Sequence, residues 1–302
     1  MADSSSRMSR RSVIAAAAAV GLAGCTSGES DDAAPPEEAA GTDDASDTAT
    51  SREDDIPDRD IEPDWEQAAT FRTWLRFDSP VAGGTRRFDY TEAFPDDVDL
   101  ATVLPAFSDL TIDDVDGHLI QGYTQVLLGG YDVEAIAAAA ETADEATYEG
   151  TYEGYAVITE EMPGGSQRTL AIDSSAIVIG DDYEVRIDAR NGEADRLEDV
   201  DPEFTHLFHE LPHETTVTGQ YDAPQGSVVN EDIYLWGVSS ETPMAEEMTW
   251  VFVFDSADSL TEEALEDLEA VSSDVHSAER DGRTATVVGA PPEVPEEAAP
   301  GE

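Results

Sequence analysis

The excess of acidic over basic side chains is the feature that most constrains how this chain can fold. Its 302 residues include 69 aspartates and glutamates but only 15 basic residues, for a formal net charge of −54. Self-repulsion on this scale destabilises a compact state in dilute buffer. At about 1 M salt the Debye length falls to about 3 Å, and most of the repulsion is screened. The composition therefore predicts a fold suited to concentrated salt.

The same composition excludes several classes of function. Every basic residue is an arginine, because the chain contains no lysine. A chain without lysine has no Schiff-base amine, no phosphate-loop lysine and no Ser-x-x-Lys hydrolase site. A strongly acidic surface also argues against nucleic acid as a partner, since binding there depends on cationic contacts.

The N-terminus has the features of an export signal. Arg10 and Arg11 precede an alanine-rich apolar run over residues 13–24, and Cys25 follows directly. A membrane-spanning helix needs roughly 20 predominantly apolar residues, so this run is too short to remain as an anchor. Its length, its basic flank and its small residues before the cysteine are typical of a cleaved signal.

These N-terminal features resemble a twin-arginine export signal joined to a lipobox. Together with the acidic, lysine-free composition, the chain resembles an exported lipoprotein of a halophilic archaeon. The resemblance implies that Arg10 and Arg11 direct export of the folded protein, with either Met1 or Met8 as the start. It also implies a lipid on Cys25 that holds the protein to the outer face of the cytoplasmic membrane. No catalytic residue follows from it, and lipidation uses the chain's single thiol.

Composition divides the chain into four regions. We expect residues 1–24 to be the signal peptide and residues 25–62 to be a lipidated, acidic, disordered tether, because large apolar side chains are almost absent there. Residues 63–290 are expected to form the folded domain, with a division into two subdomains near residue 212 as an alternative. Residues 291–302 are expected to be a disordered tail.

The folded region is predicted to be α+β, with antiparallel sheets and helices on one face. Helices are predicted at 65–75 and 100–107, among others. Two segments share a strand, a capped helix and a hairpin: one has its hairpin turn at Glu153-Gly154, the other at Asp281-Gly282. The pattern is compatible with two weakly duplicated β-α-β-β units or with chance similarity.

One motif suggests chemistry. His209, Glu210 and His213 form a His-Glu-x-x-His sequence, in which two histidines on one helical face would ligate zinc and the glutamate would activate water. Glu231 stands at a suitable distance downstream to supply a third ligand. This gives two alternatives, a zinc metallopeptidase and a surface protein that binds zinc or copper without catalysis.

The local sequence favours a simpler interpretation of that motif. Asp201 and Pro202 mark a helix start, and Pro212 is disfavoured inside a helix, so the helix is predicted to end at Leu211 and to leave His213 outside it. The remaining residues form an ordinary amphipathic helix. We therefore expect a non-enzymatic binding or structural protein without a cofactor, whose protein or small-molecule partner the sequence does not define.

Overall fold

A single antiparallel sheet organises the part of the chain that the structure describes. The structure is a computed structural model, and it describes residues 59–77, 87–95, 98, 100–224, 230 and 232–292. The expected signal peptide with Arg10 and Arg11, Cys25, Glu231, and most of the expected tether and tail lie outside these residues. Within them, no helix combines the length and apolar character needed to cross a bilayer. Asp58–Pro292 forms one compact unit.

The regular elements are short and mostly strands. The strands are β1 (Phe88–Thr91), β2 (Val115–Gln121), β3 (Thr124–Gly129), β4 (Ala146–Tyr152), β5 (Tyr155–Glu161), β6 (Gln167–Ile172), β7 (Ala176–Ile179), β8 (Thr216–Tyr221), β9 (Ile233–Ser240), β10 (Met248–Phe254), β11 (Val275–Asp281) and β12 (Thr284–Gly289). The α-helices are α1 (Val133–Thr142), α2 (Tyr183–Asn191), α3 (Leu197–Val200), α4 (Pro202–Glu210) and α5 (Glu262–Leu268). Short 3₁₀ helices occur at Thr70–Trp74, Ile112–Asp114 and Glu269–Val271.

The twelve described strands form one sheet in the order β11-β12-β10-β9-β8-β1-β2-β3-β7-β6-β5-β4. Every neighbouring pair is antiparallel. The described chain is thus mostly antiparallel sheet with a few helices, which confirms the antiparallel pairing expected from the sequence but not the finer α+β arrangement. Because orientation alternates from strand to strand, β3 and β4 run in the same direction, as do β10 and β11.

Two apolar clusters occupy opposite ends of one sheet face. One contains Leu127 of β3 and Ile136 of α1, and the other contains Trp236 of β9 and Leu268 of α5. Residues that are paired across neighbouring strands lie on the same face of a sheet. Successive pairings can be followed from Leu127 through β2, β1 and β8 to Ser240 of β9. Ser240 in turn lies on the same face as Trp236. The helices α1 and α5 therefore lie on the same face.

The opposite face is covered in the centre by other helices. Gln121 of β2 lies on this face, and it accepts a hydrogen bond from Arg186 of α2. Gly237 of β9 also lies on it, where a Cβ would approach Leu207 of α4 to 3.0 Å. Helices thus lie on both faces, and the single helical face expected from the sequence describes α1 and α5 but not α2 and α4.

Two helices predicted from the sequence are wrong in type. The segment 65–75 contains only the 3₁₀ helix Thr70–Trp74, in which Arg72 forms a buried two-point ion pair with Glu198 of α3. The segment 100–107 forms turns instead of a helix. Pro105 lies within it, and proline cannot donate the backbone hydrogen bond of a helix interior.

Candidate functional site

Helix α4, which carries the His-Glu-x-x-His sequence, has the ends that the sequence predicted. The Asp201 carboxylate caps it by accepting from the Glu203 backbone N–H at 2.9 Å, and Pro202 occupies the first turn. The helix ends at Glu210, with Leu211 as an extended C-cap. His213 therefore lies beyond the helix, which confirms the predicted helix end.

The histidines of this segment have different environments. His206 is half-buried, with Nε2 at 2.7 Å from Thr284 Oγ1 of β12, and burial lowers its pKa. His209, Glu210 and His213 are exposed. Among the residues that the structure describes, no group of three or more His, Cys, Asp and Glu side chains is arranged to hold a metal ion.

The buried side of α4 carries an ion-pair cluster that the amphipathic pattern did not indicate. The Glu203 side chain is fully buried, and its Oε1 accepts from Arg59 Nε at 2.8 Å and from Arg283 Nη2 at 2.7 Å. Glu203 Oε2 has no hydrogen-bond partner among the described residues. The cluster joins the beginning of the described chain to α4 and to the turn before β12.

The capping carboxylate of α4 is also buried. Asp201 Oδ2 accepts hydrogen bonds from the hydroxyls of Tyr221 at 2.5 Å and Tyr234 at 2.9 Å. Burial raises the pKa of Asp201, while these hydrogen bonds and that from the Glu203 backbone lower it. This arrangement fixes α4 on β8 and β9, which is a structural role.

A separate cleft of about 450 Å³ opens at the ends of three central strands of the sheet. It lies where β1 ends, β2 begins and β3 ends, beneath the 3₁₀ helix Thr70–Trp74 and the C-terminal end of α2. Its inner wall includes the buried rings of Trp74 and Tyr90 and the half-buried Leu128. The volume is in the range of small-molecule sites, which span about 300–1,000 Å³.

Packing fixes the aromatic wall of the cleft. The Tyr90 ring stacks on Phe71 with centroids 4.2 Å apart, and it lies across Gly117, where a Cβ would come within 2.7 Å of the Tyr90 hydroxyl. The Trp74 indole is also buried, and its Nε1 has no hydrogen-bond partner among the described residues. A buried polar atom without a partner is uncommon in folded proteins, so Trp74 leaves a donor unused beside the cleft.

Charged side chains of both signs reach the cleft. Glu92 is exposed and accepts a hydrogen bond from Tyr90 Oη at 2.7 Å, while Asp116 lies exposed nearby. Burial raises the pKa of Tyr90, and the hydrogen bond to Glu92 and the charges of Glu92 and Asp116 raise it further. Arg190, from the last turn of α2, contributes the positive charge.

Arg190 differs from most other arginines of the described chain. Six of them form ion pairs with a carboxylate: Arg59, Arg72, Arg87, Arg168, Arg186 and Arg283. Across the described ranges, the guanidinium of Arg190 lies over the Trp74 ring at 5.9 Å and has no carboxylate partner. In a chain with a formal net charge of −54, an unpaired guanidinium inside a cleft is a candidate for contact with an anionic ligand group.

The sequence did not identify this cleft, because its residues are scattered from Thr70 to Arg190 and come together only through sheet pairing. A partial signal existed in Trp74, because it is one of only four tryptophans in the chain. The structure places it both in the core and beside the cleft.

Comparisons with known proteins provide little further information. No protein-family model matches the chain, and no curated protein matches it. Among solved structures, it is similar to crystal form I of TP0453, with 10% identity over 74% of this chain and 93% of that chain and a TM-score of 0.40. It is also similar to crystal form IV of TP0453, with 11% identity, coverage of 70% and 91%, and a TM-score of 0.35. At these TM-scores the likeness supports no inference about function.

Proposed function

We propose that this chain is an exported lipoprotein of a halophile, held at the outer face of the cytoplasmic membrane by lipid on Cys25, with a non-enzymatic binding role. The observation that carries the proposal is the position of the chain's single cysteine. Cys25 directly follows a short apolar run that is preceded by Arg10 and Arg11, which is the order of a lipoprotein export signal. The domain would face a concentrated salt solution, in which its charge is screened.

Two structural observations support a binding role over that of a zinc peptidase. The cleft beside Trp74 has a volume in the range of small-molecule sites. Helix α4 ends before His213, so His209 and His213 do not share the helical face that a zinc peptidase requires. A purely structural role remains the alternative, and ligand binding at the cleft distinguishes the two.

We also propose that the domain consists of two duplicated units. The first is β1-β2-β3-α1-β4-β5 and the second is β8-β9-β10-α5-β11-β12. The order of strands in the sheet supports this. From the central β1–β8 pair towards each edge of the sheet, the strands of the two units follow in corresponding order, except that β6 and β7 are inserted in the first unit. The helices α1 and α5 lie on the same face and each joins two strands of like direction, so a twofold rotation normal to the sheet would relate the units.

The outer hairpins of the two units supply a second correspondence. Gly154 and Gly282 both adopt positive φ in the turns, at 88° and 58°, a conformation that favours glycine. The helices are capped in the same way, with Asp132 accepting from Ala135 N and Thr261 accepting from Ala264 N. An experimental structure should superpose the two units with the same crossover handedness; opposite handedness would refute the duplication.

The anchoring proposal is tested by cell fractionation of a halophilic host that expresses the full chain. Wild-type protein should be recovered with membranes, and Cys25→Ser should be released or remain unprocessed, because it offers no thiol for the lipid. Replacing both Arg10 and Arg11 with lysine keeps the charge and should block export if a twin-arginine signal operates. A Cys25→Ser variant that is processed and membrane-bound like the wild type would contradict the proposal.

A further inference from the structure

We infer that the cleft beside Trp74 binds a small zwitterion, a molecule with a carboxylate and an ammonium group, such as an amino acid or a betaine. This inference rests on the proposed binding function and names the class of ligand. Three features of the cleft carry it: a guanidinium without a carboxylate partner in the described chain, two carboxylates, and an aromatic wall.

The anionic group of the ligand is assigned to Arg190. Its guanidinium is half-buried in the last turn of α2 and presents its hydrogen-bond donors without an ion-pair partner among the described residues. A guanidinium binds a carboxylate through two parallel hydrogen bonds. The buried Trp74 Nε1 provides a second donor beside the cleft that has no partner in the described part of the chain.

The cationic group is assigned to Glu92, Asp116 and the Tyr90 ring, which also line the cleft. Glu92 has one oxygen bonded to Tyr90 Oη and is otherwise exposed, while Asp116 is exposed beside it. An ammonium near two carboxylates and an aromatic face is stabilised both by charge and by cation–π attraction. The two acidic side chains and the single arginine also explain why a simple anion does not suit the cleft.

The charge pattern favours a zwitterion over a simple cation. A cation alone would leave the Arg190 guanidinium in the cleft without an anionic partner. An anion alone would place negative charge close to Glu92 and Asp116. A molecule that carries both charges can pair with the guanidinium and with the carboxylates, and charge complementarity of this kind gives specificity.

Titration calorimetry in molar salt tests the inference with the mature chain recovered from cells. The probes are three zwitterions (glycine betaine, carnitine and glutamine) and two single-charge fragments, choline and propionate. At least one zwitterion should bind roughly 10-fold or more tightly than either fragment, because each charged contact contributes separately. Binding by choline or propionate at the same affinity as the best zwitterion would overturn the inference, as would no binding by any probe.

Matched variants locate the site. Arg190→Gln and Glu92→Gln should each weaken zwitterion binding roughly 10-fold or more, whereas Arg280→Gln, on the distant edge strand β11, should leave it unchanged. Thermal melts should show that both cleft variants fold, since Arg190 makes no ion pair in the described chain and a glutamine at position 92 can still accept the hydrogen bond from Tyr90. Equal binding by all variants would place the ligand elsewhere and overturn the inference. The mass of the peptide that begins at Cys25, measured in the same preparation, tests the lipoprotein proposal separately. The ligand inference and the lipoprotein proposal can therefore fail independently.

Discussion

Replacement of Asp201 by alanine should destabilise the domain far more than the loss of an ordinary helix cap. A lost N-cap costs about 1 kcal/mol, and each lost hydrogen bond to a charged group costs about 1.5–3 kcal/mol. Asp201 caps α4 and also accepts from Tyr221 and Tyr234, so the sum is about 4–7 kcal/mol. Burial of the carboxylate, which raises its pKa, offsets part of this sum, and we expect a net loss of about 3 kcal/mol.

Asp132 supplies a matched control within the same chain. It caps α1 with one hydrogen bond, to Ala135 N at 3.0 Å, and it is exposed. Asp132→Ala should therefore cost about 1 kcal/mol. For a domain of this size about 3 kcal/mol corresponds to a shift of about 6–12 °C in melting temperature, measured by circular dichroism or calorimetry in molar salt.

The pH dependence of the stability difference between wild type and Asp201→Ala provides a further test, because the raised pKa of Asp201 fixes its direction. A carboxyl with a raised pKa binds protons more readily in the folded state, so its contribution to stability increases as the pH falls through its folded pKa. The stability difference between wild type and Asp201→Ala should widen on acidification from neutral pH.

Equal losses of stability for Asp201→Ala and Asp132→Ala would refute the reasoning, because the tyrosine hydrogen bonds would then contribute nothing.

Four other predictions concern the rest of the domain. Burial lowers the pKa of His118 and His206 below 6.5, so stability should fall as the pH drops below that value, and replacing both with glutamine should reduce this fall in pH-dependent melts. Gly219→Ala should cost about 1–3 kcal/mol, because its Cβ would lie 2.6 Å from the buried Phe88 ring, whereas Gly130→Ala, with nothing within 4 Å, should be neutral in denaturant unfolding. Dilution from molar to about 0.1 M salt should lower the melting temperature as screening is lost; an unchanged melt would contradict the charge argument. Zinc should leave the melt unchanged, and a rise of several degrees would favour the metal alternatives.

Local signals in the sequence predicted individual elements of the fold well. Pro202 and Pro212 defined α4, since proline is accepted at a helix start and disfavoured inside a helix. The Asp281-Gly282 turn predicted the β11–β12 hairpin, which the structure confirms. These features depend on residues close together in the chain, so pattern and turn chemistry suffice for them.

The centre of the fold depends on contacts that local patterns do not encode. The sheet continues through the pairing of β1 with β8, whose residues Phe88 and Gly219 are far apart in the chain. The amphipathic pattern of α4 gave no sign that Glu203 is buried, because its partners Arg59 and Arg283 lie far away in the chain. The cleft was missed for the same reason, since Arg190 reaches Trp74 only after α2 packs on the sheet.

The intact mass of the protein extracted from its host's membranes is the most direct test of the account. If Cys25 is the mature N-terminus, the mass should equal that of residues 25–302 plus a lipid group, and a peptide beginning at Cys25 should carry that mass increase. A chain that retains residues 1–24, or one that begins at an unmodified Cys25, would contradict the assignment of this protein as a lipid-anchored surface protein.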